Sequence, residues 1–447
     1  MSAATESTTV IHGAPPGPTS ALWQLIKWGS KPLDTFQEHF RRHGDPFTMP
    51  FFEGVQLVCT AEPDGIREIF MADPDTFEVP TPEMLTPLVG RNSVLVLSGQ
   101  RHRRERQMMA PPFHGARMRA YGKLMQDIAL KHGARWEKGK PFTMLQTTQA
   151  ISLEVILQAV FGVTEPERVR IFEEAILAFV RTGTPLVLFF KAVRKDLGPW
   201  SPWGRLKRAE KHLFALIQEE IENRRKDHVE REDILSMLLA ARREDGSPMA
   251  DEVLRDELLT LLVAGHETTA SALAWAFYLL HRNPDVLARL QAELRGLGPT
   301  PDAMALAEHP YLDAVCSETL RIRPIVMDVA RLLRKPMVLR GREIPAGHGV
   351  CAAIVATHHD ARIYPEPHAF RPERFLERKF SPYEFLPFGG GVRRCLGASF
   401  ALYEMKIVLG SLLGQKKLAL ASDKAVVPGL RNVTWAPTTG VRMVLRD

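Results

Sequence analysis

From about Gln100 onward, apolar residues recur every three or four positions and polar residues fill the gaps between them. That spacing gathers the apolar side chains on one face of a helix. It predicts helices over residues 118–137, 149–161, 165–181 and 205–226, with a shorter one over 233–243. The run 253–282 behaves differently. Its middle is apolar on nearly every side, so it predicts a helix of about 30 residues, about 45 Å long, enclosed in the core. Residues 398–412 predict one more helix. Strand-like runs sit towards the two ends of the chain. Residues 47–60 predict a hairpin turning at Glu53-Gly54, and 337–340, 350–356 and 440–445 predict further strands. The pattern predicts a mainly α protein with small β-sheets at its edges.

Composition narrows this reading. The chain has 447 residues, 45% of them hydrophobic, enough to bury a large core. No linker, low-complexity run or internal repeat divides it, so a single domain over 1–447 is expected. Pro15-Pro16-Gly17-Pro18 reads as a stiff lead-in, and residues 1–20 as a whole are expected to be flexible. The net charge is +6, with the densest basic run at Arg101-His102-Arg103-Arg104-Glu105-Arg106. There is no nucleic-acid fold signature beside it, and charge alone gives only non-specific attraction. No nucleic-acid partner is expected. The four cysteines, Cys59, Cys316, Cys351 and Cys395, have neither metal-clip spacing nor the look of a disulfide framework, which fits a reducing compartment. Residues 1–10 are polar and predict no signal peptide. Residues 21–28 are too short to span a bilayer, and His266 and Glu267 interrupt the one long apolar run. A cytoplasmic protein with no membrane span is expected.

The densest chemistry lies in Phe388-Gly389-Gly390-Gly391-Val392-Arg393-Arg394-Cys395-Leu396-Gly397. Glycines allow left-handed backbone and close approach of a partner. Arginines beside a thiol, and the N-terminus of a helix after it, favour the thiolate, the form that binds metal. A glycine-rich turn with an incidental cysteine is the alternative. Inside the long apolar helix stands Ala264-Gly265-His266-Glu267-Thr268-Thr269. An acid and an alcohol there are costly unless paired or functional. Either Thr268 bonds back to the carbonyl four residues earlier, or the pair handles protons. Gly265, unfavourable within a helix by about 1 kcal/mol, would make room for a ligand. Further on, Glu318-Thr319-Leu320-Arg321 puts an acid and a guanidinium on one helical face, and Phe370-Arg371-Pro372-Glu373-Arg374-Phe375 follows.

These motifs, in this order, resemble those of the cytochrome P450 family. Phe388, Gly389, Gly391, Arg393, Cys395 and Gly397 match all six defining positions of its haem-binding loop. The resemblance runs from about Phe47 to the C-terminus. It implies a P450-like fold with the long central helix over the haem, and it makes Cys395 the axial thiolate of haem b. It implies that Thr268 and Glu267 steer protons during oxygen activation, and that Glu318, Arg321 and Arg374 form a buried network scaffolding the haem loop. By the same resemblance His102, Arg106, Arg331 and Arg393 reach the haem propionates. Many family members carry Trp where His102 stands.

On the substrate side, Ile325, Val326, Met327 and Val329 would overhang the haem, together with Ala264. Phe189 and Phe190 fall in the region of the family's access lid. Asp328 is the one charged residue of its segment, either solvated or set to meet a polar group of the substrate. The expected activity is that of a soluble, bacterial-type monooxygenase, inserting one oxygen atom of O2 into a terpene, steroid or fatty acid. No fused flavin module is expected. Electrons from NAD(P)H would therefore arrive through a ferredoxin or flavodoxin and its reductase, met by Arg101, Arg104, Arg394 and Lys406. A monomer is expected. A peroxide-driven or isomerising enzyme of the same fold, or a haem sensor or carrier, are the competing readings.

Overall fold

The computed structural model describes residues 11–446 other than 52–53, 114–116, 228–230, 299–300 and 433. The polar stretch 1–10 lies outside them. Two compact units divide the chain. One takes Met1–Thr81, Val326–Ala369 and Phe380–Cys395; the other takes Pro82–Ile325, Phe370–Lys379 and Leu396–Asp447.

The first unit contains the helices α1 (Ala21–Ser30) and α2 (Pro32–His43) and a five-stranded sheet. Its strands are β1 (Phe47–Pro50), β2 (Gln56–Thr60), β3 (Phe77–Glu78), β4 (Val329–Leu333) and β5 (Gly349–Ala352), in the spatial order β1-β2-β5-β4-β3. β1 and β2 form the expected antiparallel hairpin, with Phe47 opposite Cys59; Glu53 of its turn lies outside the described residues. β2 runs parallel to β5, and Cys59 stands opposite Cys351. Both strands are nearly continuous apolar runs, as expected where each face is covered. α3 (Pro63–Met71) lays Ile66, Ile69 and Phe70 against Val58, Val350 and Leu333 to form this unit's core.

One expected strand is shorter than its pattern. Residues 350–356 are apolar throughout, but β5 ends at Ala352 and a short helix, Ile354–His358, follows. The Thr357 hydroxyl donates to the carbonyls of Ala61 and Ala353. The bond to Ala353, four residues back, favours a turn where β-branched residues alone would suggest extension, and the bond to Ala61 ties it to a segment distant in sequence.

The second unit is largely helical. It contains α4 (Gly99–Met109), α5 (Met144–Ala159), α6 (Asp251–Arg282), α7 (Pro310–Ile322) and α8 (Ala398–Gln415). Helices Arg117–Gly133, Pro166–Thr182, Pro202–Lys226 and Ile234–Ala240 fall close to where the periodicity puts them. α6 is 32 residues long. Asp251 and Glu252 open it and His281 and Arg282 close it, matching the helix dipole at both ends. α5 packs along it, and the Thr148 hydroxyl donates to the Ala270 carbonyl at 2.8 Å. The strands β6 (Pro428–Arg431) and β7 (Thr434–Pro437) pair antiparallel beside the helices. No helix among the described residues is long and apolar enough to cross a membrane.

Two of the acids buried in this unit are pushed to a high pKa. Glu404 on α8 is 1% exposed, and neither carboxyl oxygen has a hydrogen-bond partner. The Ser152 hydroxyl approaches without reaching hydrogen-bond geometry, and burial pushes the Glu404 pKa up to about 8. Glu257 on α6 accepts the Val94 N–H at 2.8 Å, and burial pushes it up to about 8 as well.

Candidate active site

In the first unit, the loop ending at Cys395 is shaped by its glycines. Gly389 and Gly391 have φ of 64° and 63°, a left-handed backbone that side chains disfavour. Gly390 is needed for a different reason. A Cβ there would lie 2.1 Å from the Phe70 ring, and one on Gly391 would lie 2.5 Å from the Phe70 carbonyl oxygen. The glycines therefore serve close packing against α3 as well as the turn. The Cys395 N–H donates to the Phe388 carbonyl at 3.0 Å, closing the loop. Cys395 is exposed, whereas Cys59, Cys316 and Cys351 are buried.

Arg331 on β4 is 6% exposed. Its guanidinium donates to the Gly390 carbonyl at 3.0 Å and lies within 6 Å of the Phe70 and Phe77 rings. Burial, and then the charge of Arg393, lower its pKa to about 10. No carboxylate among the described residues pairs with it. Arg331 and Arg393 line a cleft with Ile69, Phe70, Pro74 and Phe77. Two cations lining one cleft fit an anionic group of a ligand.

In the second unit, α6 is mostly buried from Leu254 to Leu280; besides Arg255 and Val263, which are half-buried, one strip breaks that burial. Ala264 is exposed, and Leu261, Gly265 and Thr268 are partly so. Leu261, Ala264 and Thr268 are three or four residues apart, hence on one helical face. The Thr268 hydroxyl donates to the Ala264 carbonyl at 2.6 Å, so the back-bonded arrangement is the one present. Gly265 differs from expectation. A Cβ there would meet Ile156 of α5 at 2.9 Å, so the missing side chain admits a neighbouring helix. Glu267 turns away from the strip. It accepts from Gln149 Nε2 at 3.1 Å, Arg431 Nε at 3.1 Å and Asn432 Nδ2 at 3.3 Å. Burial raises its pKa, and Arg431 pulls against that rise. His266 is 1% exposed, and burial lowers its pKa to about 4.

The acid–guanidinium network lies wholly in this unit. Glu318 accepts from Arg321 Nε at 2.6 Å and Nη2 at 2.8 Å, and from Arg374 Nε at 3.1 Å. It also accepts the Arg371 backbone N–H at 2.9 Å. All three charged side chains are buried. Glu373, between Arg371 and Arg374, is braced by Tyr311 Oη at 2.8 Å and Arg289 at 2.9 Å. His102 is buried on α4 and Arg106 is half-buried one turn on. Ile325 and Met327 are buried and Val329 is half-buried, while Val326 is exposed. Phe190 is exposed, and the side chain of Phe189 lies outside the described residues. Lys406 is paired with Asp313 at 3.0 Å, and Arg101 donates to Asn92.

These features suit a haem on chemical grounds. The chain offers an exposed thiol, a buried cation without an acid, and an apolar strip on an otherwise enclosed helix. Comparison with known proteins agrees. A family model described as Cytochrome P450 matches residues 14–440. Cytochrome P450 135B1 of Mycobacterium tuberculosis (strain ATCC 25618 / H37Rv) is 37% identical over 461 residues, covering 98% of this chain and 93% of the relative. Cytochrome P450 138 of the same strain is 36% identical over 411 residues, covering 91% and 90%. Among solved structures, a retinoic acid-bound cyanobacterial CYP120A1 matches with a TM-score of 0.84 at 27% identity, covering 98% of this chain and 99% of the other. The haem domain of cytochrome P450DA matches in fold with a TM-score of 0.86 at 22% identity, covering 98% of each chain. The fold and the matches define a monooxygenase of the oxidoreductase class. The chain belongs to the cytochrome P450 family.

Four partners escaped the sequence reading: Gln149, Arg431 and Asn432 on Glu267, and the Arg371 backbone amide on Glu318. The first three sit far along the chain from Glu267 and carry no local signal. The Arg371 amide lies inside a motif already singled out, but nothing in its residue type marks a backbone donor.

Proposed function

We propose that the chain is a haem-thiolate monooxygenase acting on a hydrophobic small molecule, a terpene, steroid or fatty acid, with 1–447 as one functional domain. The observation that carries this reading is the exposed thiol of Cys395, at the end of a loop turned by two left-handed glycines. Cys395 would hold the iron of haem b through its thiolate. Phe388, Gly389 and Gly397 would line the ring, and His102, Arg106, Arg331 and Arg393 would pair with the propionates. When bound, the haem supplies oxygen activation, and a thiolate ligand favours cleavage of the O–O bond. The protein supplies ligation, orientation and protons.

Glu267 is the proton-holding group of this scheme. Its raised pKa keeps a proton on the carboxyl more readily than in an exposed acid. Arg431, with 44% of its side chain exposed, links it to solvent. Thr268 would release the Ala264 carbonyl and turn its hydroxyl to a ligand on the exposed strip. Ala264, Ile325, Val326, Met327 and Val329 would give the substrate apolar contact. Electrons would come from NAD(P)H through a ferredoxin or flavodoxin and its reductase. The exposed Arg104 and Arg394 suit an acidic partner and would mainly speed encounter. We take the enzyme to be a cytoplasmic monomer.

Cys395→His tests the ligand. The ferrous protein is expected to lose the red-shifted carbonyl band that thiolate ligation gives. A band that persists in a variant still loaded with haem would refute the assignment. Product formed with a surrogate ferredoxin system, and none with peroxide alone, separates the monooxygenase from a peroxide-driven or isomerising enzyme and from a haem sensor.

A further inference from the structure

The two most exposed large apolar side chains among the described residues are Trp200, at 89%, and Leu197, at 74%. They stand three residues apart in the second unit, in the connection between the helices Pro166–Thr182 and Pro202–Lys226. Leu186 and Phe190 of the same connection are exposed as well. Single apolar residues scattered over a surface mean little, but four within the fifteen positions 186–200 make a patch. Cations surround them. Residues 184–211 hold seven basic residues against two acids, Asp196 and Glu210. Lys195, Arg205, Arg208 and Lys211 are exposed.

The connection is held from inside. The Arg194 guanidinium donates to the carbonyls of Val187 and Leu188, at 2.9 and 2.8 Å, and lies 5.7 Å from the Trp203 ring. It thereby ties the stretch bearing Leu186 and Phe190 to the start of the next helix. In the turn that follows, the Leu197 N–H donates to Ser201 Oγ and the Gly198 N–H to Asp196 Oδ1, each at 3.1 Å. The Gly198 carbonyl accepts the Ser201 hydroxyl and Arg208 Nη2, each at 3.0 Å. Pro199 has no N–H to satisfy. With these groups paired inside the protein, moving the tip into a less polar medium strips few hydrogen bonds to water. The Trp200 indole N–H has no partner among the described residues, and an acceptor at a wet boundary would satisfy it.

We propose that this face docks on an anionic lipid bilayer, with Trp200 and Leu197 entering the interface and the surrounding cations meeting lipid phosphates. Apolar tips ringed by charge of one sign are the pattern of an interfacial segment. A tryptophan settles at headgroup level because its ring is apolar and its N–H is not. A second copy of the same face would bring like charges together and be repelled. No helix among the described residues is long and apolar enough to cross a membrane, so the attachment is peripheral. The proposal goes beyond the monooxygenase reading and does not depend on it.

Co-sedimentation of the holoenzyme with vesicles tests the proposal. Binding is expected on phosphatidylcholine mixed with phosphatidylglycerol, and about tenfold weaker binding, or ~1.4 kcal/mol, on phosphatidylcholine alone. Added salt should weaken the binding to anionic vesicles. Replacing Trp200 and Leu197 together by Ala should weaken it about tenfold. The urea midpoint and haem spectrum of that variant should match the parent's, because both side chains are mostly in solvent. Lipids brominated in the acyl chain should quench part of the parent's tryptophan emission, and less of it in Trp200→Phe. Absence of binding to the anionic vesicles would overturn the proposal. So would equal binding to both kinds of vesicle, or binding that the double variant leaves unchanged. Sedimentation velocity without lipid checks the rival occupant: a dimer that the double variant abolishes would overturn the proposal in favour of self-docking. The ferrous carbonyl spectrum of the same samples reports the haem-thiolate reading separately.

Discussion

Glu404→Gln is expected to flatten the dependence of stability on pH. Glu404 is 1% exposed on α8, and its pKa rises from 4.5 to about 8 on burial. The folded state therefore keeps a proton that the unfolded state gives up. Its stabilising contribution is complete below pH 4.5 and is lost as pH rises through about 8. The shift is roughly three and a half units, and at about 1.4 kcal/mol per unit the total is about 5 kcal/mol. Glu257 titrates in the same direction over the same range, again to about 8. Each of these two acids adds one proton to the loss of stability with rising pH, and Glu404→Gln should remove one of them, about 1.4 kcal/mol per pH unit. The slope is the diagnostic quantity. The absolute stability of the variant also contains the burial of an amide with few partners, which costs about 1–3 kcal/mol. Urea unfolding of the holoprotein between pH 5.5 and 8.5, followed by far-UV circular dichroism, measures the slope. Identical slopes in parent and variant would refute the reasoning.

Two further outcomes follow from the same geometry. Arg374→Ala leaves Glu318 with a buried, partly uncompensated charge and should destabilise by about 3–5 kcal/mol, seen as a lower urea midpoint; a change under 1 kcal/mol would mean the network is dispensable. Thr268→Ala should retain haem but yield less product and more hydrogen peroxide per NAD(P)H consumed; coupling equal to the parent would remove Thr268 from proton handling.

The elements were legible wherever burial and periodicity coincide. The helices of the second unit carry one apolar face each, and α6 is apolar nearly all round, so both patterns survive in the sequence. The extended reading of 350–356 failed because Thr357 bonds back to Ala353 and across to Ala61, and side-chain hydrogen bonding does not register in hydrophobic spacing. The residues of the candidate site were legible as types: a cysteine among glycines, an acid beside a threonine, a Glu-x-x-Arg pair. Their partners were not. Arg431 meets Glu267 from the far end of the chain, and Trp28 reaches Asp328 from α1. Such contacts come from topology, and one sequence carries no trace of them. Gly390 and Gly265 make the same point from the other side. Each looked like room for a ligand, and each proves to admit a neighbour, Phe70 or Ile156.

α6 reconciles the two readings that its central motif left open. Ala264 and Thr268 share the exposed strip, and Thr268 closes it with a bond to the Ala264 carbonyl. Glu267, one residue earlier, lies about 100° around the helix and is held by Gln149, Arg431 and Asn432. The acid and the alcohol are therefore adjacent in sequence but committed to different sides. A back-bonded threonine and a proton-handling pair are not exclusive: the first is the arrangement present, and the second requires the hydroxyl to leave its carbonyl. Because the strip is already exposed, that turn needs only a side-chain rotation. Glu267 has more to give up, since three donors hold it. Movement of the acid, rather than of the alcohol, is the costlier half of any proton transfer between the two sides of this helix.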